Sequence, residues 1–353
     1  MPKRRLLTEL ELNRALLARQ LLLVRAGGSI PKVLERMGML QAQYAPSMYI
    51  GLWSRMEGFR RPQVDSALGR RSVAQGTLMR ATIHLVSKAD YWPAAIGVRS
   101  GRRESWLGAS YRKDYSASQM SAAARKLRSR LGDGTMGRGE IHELLGSDSV
   151  ITNGVNMWLD LVRVPPSGTW ERRRADLYAA AEGWLGPAPA KLDEAAGIEL
   201  LVRRYLGAFG PATLEETANW AGLHPRRVAP VLERMNLRGF EAEDGAALLD
   251  LPRAPLPDPE IPAPVRFLPT FDATLLVHAR RTGVLPEEHR PKVFSTRTPH
   301  SVPTFLVDGR VAGTWTYEKG RVRANPFGRL DVASKRELRD EGDRLAELYG
   351  ESG

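Results

Sequence analysis

Apolar positions recur at helical spacing through residues 6–26, "LLTELELNRALLARQLLLVRA", and stop at Gly27-Gly28, so the pattern predicts a first helix over that span. A second is predicted in "SIPKVLERMGML", with Ser29 as its cap and Pro31 in the first turn. The segment "GMLQAQYAPSMYIGLWSR" follows, apolar and aromatic except for Gln41 and Gln43. Beyond it the pattern predicts a short helix and then an alternating strand from about Thr77 to Val86. Period two on that strand puts Arg80, Thr82 and His84 on one face.

Helices followed by a strand pair are the layout of a winged helix, and the layout recurs. "SASQMSAAARKLRSRLGDGTMGRGEIHELLG" gives a helix, Gly-rich punctuation and a short helix; "TNGVNMWLDLVRVPPSGTWERRRADLYAAAEGWLG" adds a third helix and a Pro-Pro-Ser-Gly turn between strands. In the third copy, "HPRRVAPVLERM" has the length of a recognition helix with Arg226 and Arg227 at its start, and "LRGFEAEDGAALLDLP" reads as a hairpin wing. Six prolines in residues 252–266 mark a semi-rigid connector. After it come several short strands, with Asp308-Gly309 as a two-residue hairpin turn, and a charged helix over roughly Ala333 to Tyr349. The expected fold is α+β: three tandem winged helix-turn-helix units at 1–115, 116–190 and 191–252. A C-terminal region at 253–353 is expected to form a small β-barrel or sheet.

The chain of 353 residues is 42% apolar, enough to bury several cores, and no run approaches the roughly 18 uncharged apolar residues of a membrane span. The basic start "MPKRRLLTELELNRALL" turns charged again within a few residues, unlike a signal peptide, so a cytoplasmic, nucleoid-associated protein is expected. The 52 basic residues outnumber the 40 acidic ones for a net charge of +12, and 9 of the 52 are Lys. A surplus dominated by Arg and spread along the chain suggests a polyanionic partner. With no Cys, disulfides, thiolate zinc sites and Cys nucleophiles are excluded.

No Gly-rich phosphate loop and no His-Glu-x-x-His motif occurs, and the six His residues show no metal spacing, so neither metal nor cofactor is expected. Asp160 and Asp272, each in an apolar setting, are candidate acids or paired structural carboxylates. The stretch "STRTPHSVP" is a Pro-bracketed hairpin candidate with Arg297 and His300 near its tip, suited to probing a minor groove. Arg172, Arg173 and Arg174, like Arg226 and Arg227, are candidates for phosphate contacts. Read from the residues alone, a non-catalytic winged-helix regulator and a DNA enzyme both remain open.

"LQAQYAPSMYIGLWSR", "TLMRATIHLVSKADY" and "PTFLVDGRVAGTWTYEKGRV", in that order, resemble the AlkZ-type DNA glycosylases of the winged-helix HTH_42 superfamily, in the branch with a Gln-x-Gln motif. The resemblance implies a monomeric, monofunctional glycosylase acting on double-stranded DNA through a concave basic surface. It further implies excision of N7-alkylated guanines, bulky adducts and interstrand crosslinks included, often as self-resistance. Gln41 and Gln43 stand at the catalytic motif. A cationic leaving base needs little protonation, so neutral amides that orient water and stabilise the sugar cation are adequate chemistry.

Overall fold

The computed structural model describes residues 4–276, 283–294 and 301–351, and the fold is mixed α+β. It opens on a strand the periodicity did not reveal, β1 (Arg5–Leu7), before α1 (Glu9–Arg19), whose start is fixed by a reciprocal capping box between Thr8 and Glu11. The expected continuation of this helix to residue 26 fails at Gln20. That fully buried side chain donates to the carbonyls of Met37 (3.1 Å) and Ala208 (3.0 Å), and Leu21 turns to φ 59°. Tertiary hydrogen bonds override the helical pattern here.

A recurring order of elements comes next: a helix, a very short strand, two helices and a hairpin. Its first occurrence is α2 (Ile30–Met37), β2 (Leu40–Gln41), α3 (Ala45–Arg55), α4 (Pro62–Gly69), β3 (Val73–Thr77) and β4 (Ile83–Ser87), leading into the long α5 (Lys88–Leu107). The second is α6 (Ala117–Leu131), β5 (Thr135–Gly137), α7 (Arg138–Leu144), α8 (Ser149–Gly154), β6 (Leu161–Arg163) and β7 (Leu177–Ala180), followed by the single-turn α9 (Ala181–Leu185). The third is α10 (Glu194–Phe209), an isolated bridge at Ala212, α11 (Leu214–Ala221), α12 (Pro225–Arg234), β8 (Arg238–Ala242) and β9 (Ala247–Asp250). Thr213 and Glu216 form a capping box at the start of α11, and Gly222 ends it in the left-handed region.

The first two hairpins merge. β3 pairs with β6 through Gln75↔Arg163 and Gly76↔Val162, giving a six-stranded sheet in the order β2-β4-β3-β6-β7-β5. The third hairpin stays separate, and its edge is taken by β1, parallel to β8 with Arg5 opposite Phe240. The C-terminal region carries β10 (Arg266–Leu268), the short helices α13 (Ala273–Leu276) and α14 (Arg290–Val293), then β11 (Thr304–Val307), β12 (Arg310–Glu318) and β13 (Arg321–Pro326), and finally α15 (Val332–Gly350). Its four strands form an open antiparallel sheet in sequence order, and Asp308-Gly309 makes the β11–β12 turn.

The first repeat is the hub of the packing. Through α5 it shares one core with the third repeat, and through α3 and α4 it shares another with the C-terminal sheet and α15. Where α5 crosses α10, a Cβ on Gly97 would meet the backbone carbon of Gly197 at 2.6 Å, so the two helices touch backbone to backbone. Every residue of α3 is buried, and Arg55 at its end makes a two-pronged ion pair with Asp272 (2.9 Å on each arm). Asp272 is therefore a structural partner of Arg55. Asp160 likewise holds Arg99 (2.7 Å) and Arg102 (2.8 Å); burial raises its pKa, but the two guanidinium groups outweigh that and keep it below the usual carboxylate range.

Candidate active site

The Gln-x-Gln motif lies just beyond α2, with its first member on β2. Antiparallel pairing sets Gln41 opposite His84 of β4, which places both side chains on one face of the six-stranded sheet. Both are buried, at 9% and 2% exposure. The expected single strand carrying Arg80, Thr82 and His84 does not exist: the chain reverses between β3 and β4 through a 3-10 turn, and Arg80 and Ala81 have φ of 51° and 56°. Left-handed backbone at two consecutive non-glycine residues costs on the order of 1–3 kcal/mol each, so the surroundings must enforce it. They do so from the third repeat. Arg80 donates to the carbonyl of Trp220 on α11, and a Cβ on Gly222 would meet the Arg80 nitrogen at 2.7 Å.

Arg80 thus lies on the turn, not the strand, and reaches Gln41 from there. Its Nη2 donates to Gln41 Oε1 at 3.3 Å. Burial lowers the Arg80 pKa to about 10, which leaves it a cation at neutral pH, and among the described residues no carboxylate pairs with it. His84 Nδ1 lies 3.0 Å from the carbonyl of Thr82, an acceptor, so Nδ1 carries the proton and Nε2 is left as an acceptor. Burial, and then the Arg80 charge, push His84 down to about 3, so it is neutral at physiological pH. Thr82 is half-buried and its hydroxyl donates to the carbonyl of Met79 (3.1 Å).

One contributor to this site is invisible in the sequence pattern. Arg163 of β6 donates to the carbonyl of Ala42, between the two glutamines, at 3.1 Å, and its side chain also approaches Gln75 Oε1 at 3.4 Å. The only signal was an Arg inside the apolar run "DLVRVPP". Gln43, in contrast to Gln41, is exposed. Next to it, Tyr44 accepts a hydrogen bond on its hydroxyl from Arg173 (3.2 Å).

The other candidates scatter. Arg226 is exposed at the start of α12. Arg227, its neighbour, is tied to Glu104 and to Glu194 (2.9 Å). Arg172 pairs with Asp176 at 2.8 Å. Arg297 and His300 lie outside the described residues. Among the described residues no group of His, Asp or Glu is placed to hold a metal ion, and no helix is long and apolar enough to cross a membrane.

The cluster thus draws side chains from the first two repeats and a backbone carbonyl from the third, with no carboxylate among the described residues bonded to it. A model of the DNA glycosylase AlkZ-like family matches residues 34–348, and the chain belongs to that family: it is a DNA glycosylase, a hydrolase of N-glycosyl bonds in DNA repair. Membership sets aside the non-catalytic regulator. Among solved structures, the Streptomyces sahachiroi DNA glycosylase AlkZ is similar over 98% of this chain and 97% of its own, with a TM-score of 0.82 at 20% identity. A search of curated proteins returned no match.

Proposed function

We propose that this glycosylase hydrolyses the bond between deoxyribose and an N7-alkylated guanine, bulky adducts and interstrand crosslinks of a DNA-alkylating natural product included. In this reading it works as a monomer on duplex DNA, the three repeats are tandem winged helices, and their basic concave face receives the duplex. The observation that supports it most directly is the cluster of Gln41, Arg80 and His84. It is polar, and at neutral pH none of these three groups is an acid suited to protonating a leaving base. An undamaged guanine needs protonation to leave; an N7-alkylguanine is already cationic and does not.

The two amides have separable tasks. Arg80 can only donate, so Gln41 must turn Oε1 toward it, and the free end of Gln41 is the Nε2 donor. Gln41 then holds an oxygen of the sugar or phosphate. Gln43, exposed and with its carbonyl oxygen unbonded among the described residues, accepts from the attacking water and faces the developing positive charge on the sugar. The Arg80 cation, lacking a carboxylate partner among the described residues, is suited to a DNA phosphate. Single-turnover release of N7-methylguanine tests this: Gln41→Ala and Gln43→Ala are each expected to be slower by roughly 100- to 1,000-fold, the range for losing one preorganised polar group. Near wild-type rates in both would overturn the assignment. Gln43→Asp, which adds charge beside the sugar cation, should retain activity and lose discrimination against unmodified guanine.

A further inference from the structure

The Gln43 side chain is exposed and unbonded among the described residues, so its direction rests on the backbone that carries it. Ala42, just before it, is held by both of its backbone groups. Its N–H donates to the Ile83 carbonyl at 2.8 Å, and its carbonyl accepts from Arg163 Nη1 at 3.1 Å. A peptide unit is planar, so a bond to the Ala42 carbonyl also fixes the nitrogen and Cα of Gln43, from which the side chain starts. Arg163 belongs to the second repeat and stands in line with Gln75 and Leu85, on the face of the six-stranded sheet away from Gln41 and His84. It therefore serves the motif from behind.

An arginine is a costly residue to place there for packing alone. Its Nε is buried and bonds nothing, and no carboxylate among the described residues pairs with it. The charge goes instead to neutral oxygens: the Ala42 carbonyl and, at 3.4 Å, Gln75 Oε1. Gln75 is itself fixed, 1% exposed and donating to the Gly168 carbonyl at 3.0 Å. An apolar side chain would serve the sheet without that desolvation. We propose that Arg163 is a positioning residue of the glycosylase: by holding the Ala42 carbonyl it sets the start of the Gln43 side chain, and with it the place of the attacking water. This rests on the role given to Gln43 above. Since a misplacement of about 1 Å can cost roughly 100-fold in rate, losing Arg163 costs excision much of what losing Gln43 does.

The test is a double-mutant cycle on single-turnover release of N7-methylguanine, with thermal melts to establish folding and DNA affinity measured alongside. Arg163→Met is expected to slow release by roughly 10- to 100-fold at unchanged affinity. With Gln43 already replaced by Ala, it should cost no more than about 2-fold further, because a residue acting through Gln43 then has nothing to position. Arg163→Lys should stay within about 3-fold of wild type, since a single nitrogen serves the Ala42 carbonyl. Amide hydrogen exchange at Ala42, which does not depend on turnover, should quicken in Arg163→Met and not in Gln43→Ala. Should Arg163→Met not fold, Arg163→Gln, polar but too short to reach Ala42, takes its place in the cycle. Losses that multiply in the double variant, a wild-type rate in the single one, or unchanged exchange at Ala42 would each overturn the proposal and leave Gln43 in its role. A wild-type rate in Gln43→Ala overturns that role instead, and the positioning of Gln43 falls with it.

Discussion

The same place in the three repeats, the short strand that pairs with the far strand of the hairpin, is filled in three ways. The second repeat puts Met136 opposite Tyr178 and the third puts Ala212 opposite Leu249, pairs that need only packing. The first puts Gln41 opposite His84, two polar groups buried where an apolar pair would serve the fold as well. Buried polar groups are stable only when partnered: Gln41 bonds Arg80 and His84 bonds the Thr82 carbonyl, while the Trp220 carbonyl of the third repeat holds Arg80 and Arg163 of the second bonds the Ala42 carbonyl next to Gln41. The first repeat thus carries the buried polar pair, and groups of the other two brace its surroundings.

The largest test of that contrast is to truncate equivalent positions. Gln41→Ala should lower single-turnover excision by the roughly 100- to 1,000-fold given above, while Met136→Ala should leave excision unchanged and lower only thermal stability. Equal effects on excision would erase the distinction between the repeats. Next, Gly197→Val inserts a side chain where α5 and α10 meet backbone to backbone, and overpacking there should cost at least 1–3 kcal/mol in denaturant melts. Since this crossing seats the third repeat against the first, the variant should lose excision in proportion to the loss of folded protein.

The His84–Tyr178 difference predicts a pH signature. His84 has a folded pKa of about 3, below its ordinary value near 6.5, so between those values the unfolded chain binds a proton that the folded one rejects. Its contribution is complete above about pH 6.5 and is lost as the pH falls toward 3, with a slope approaching about 1.4 kcal/mol per pH unit. Urea melts of His84→Gln against wild type should show that slope disappear. The smallest effect concerns two adjacent arginines of the third repeat. Arg226→Ala should reduce the salt dependence of DNA binding by about one phosphate contact, whereas Arg227→Ala, which frees Glu104 and Glu194, should leave it unchanged.

What the sequence disclosed and what it concealed follow a physical division. Local signals were reliable: the Asp308-Gly309 turn, the Pro-initiated α2, and α15 beginning close to Ala333 are all set by residues a few positions apart. Long-range pairing hid the rest. β1 is three residues long and exists because β8 lies beside it, over 230 residues later in the chain. The reversal at Arg80 and Ala81 has no Gly or Asn to announce it, since the backbone of Gly222 and the Trp220 carbonyl impose it from outside. The contact of Arg163 with the Ala42 carbonyl depends on the β3–β6 junction, which no periodicity reveals. At the candidate site, the two amides stand out as a motif, whereas Arg80, which bonds one of them, was expected on a strand and lies on a turn.

The pairing of β1 with β8 also bears on how the chain is made. Synthesis at about 5–20 residues per second puts roughly 10–50 seconds between the appearance of Arg5 and that of its partner Phe240. During that interval the first repeat has its own hairpin, but Leu7, fully buried in the finished protein, has no sheet to join. A nascent chain therefore carries this strand unpaired until the third repeat has been made.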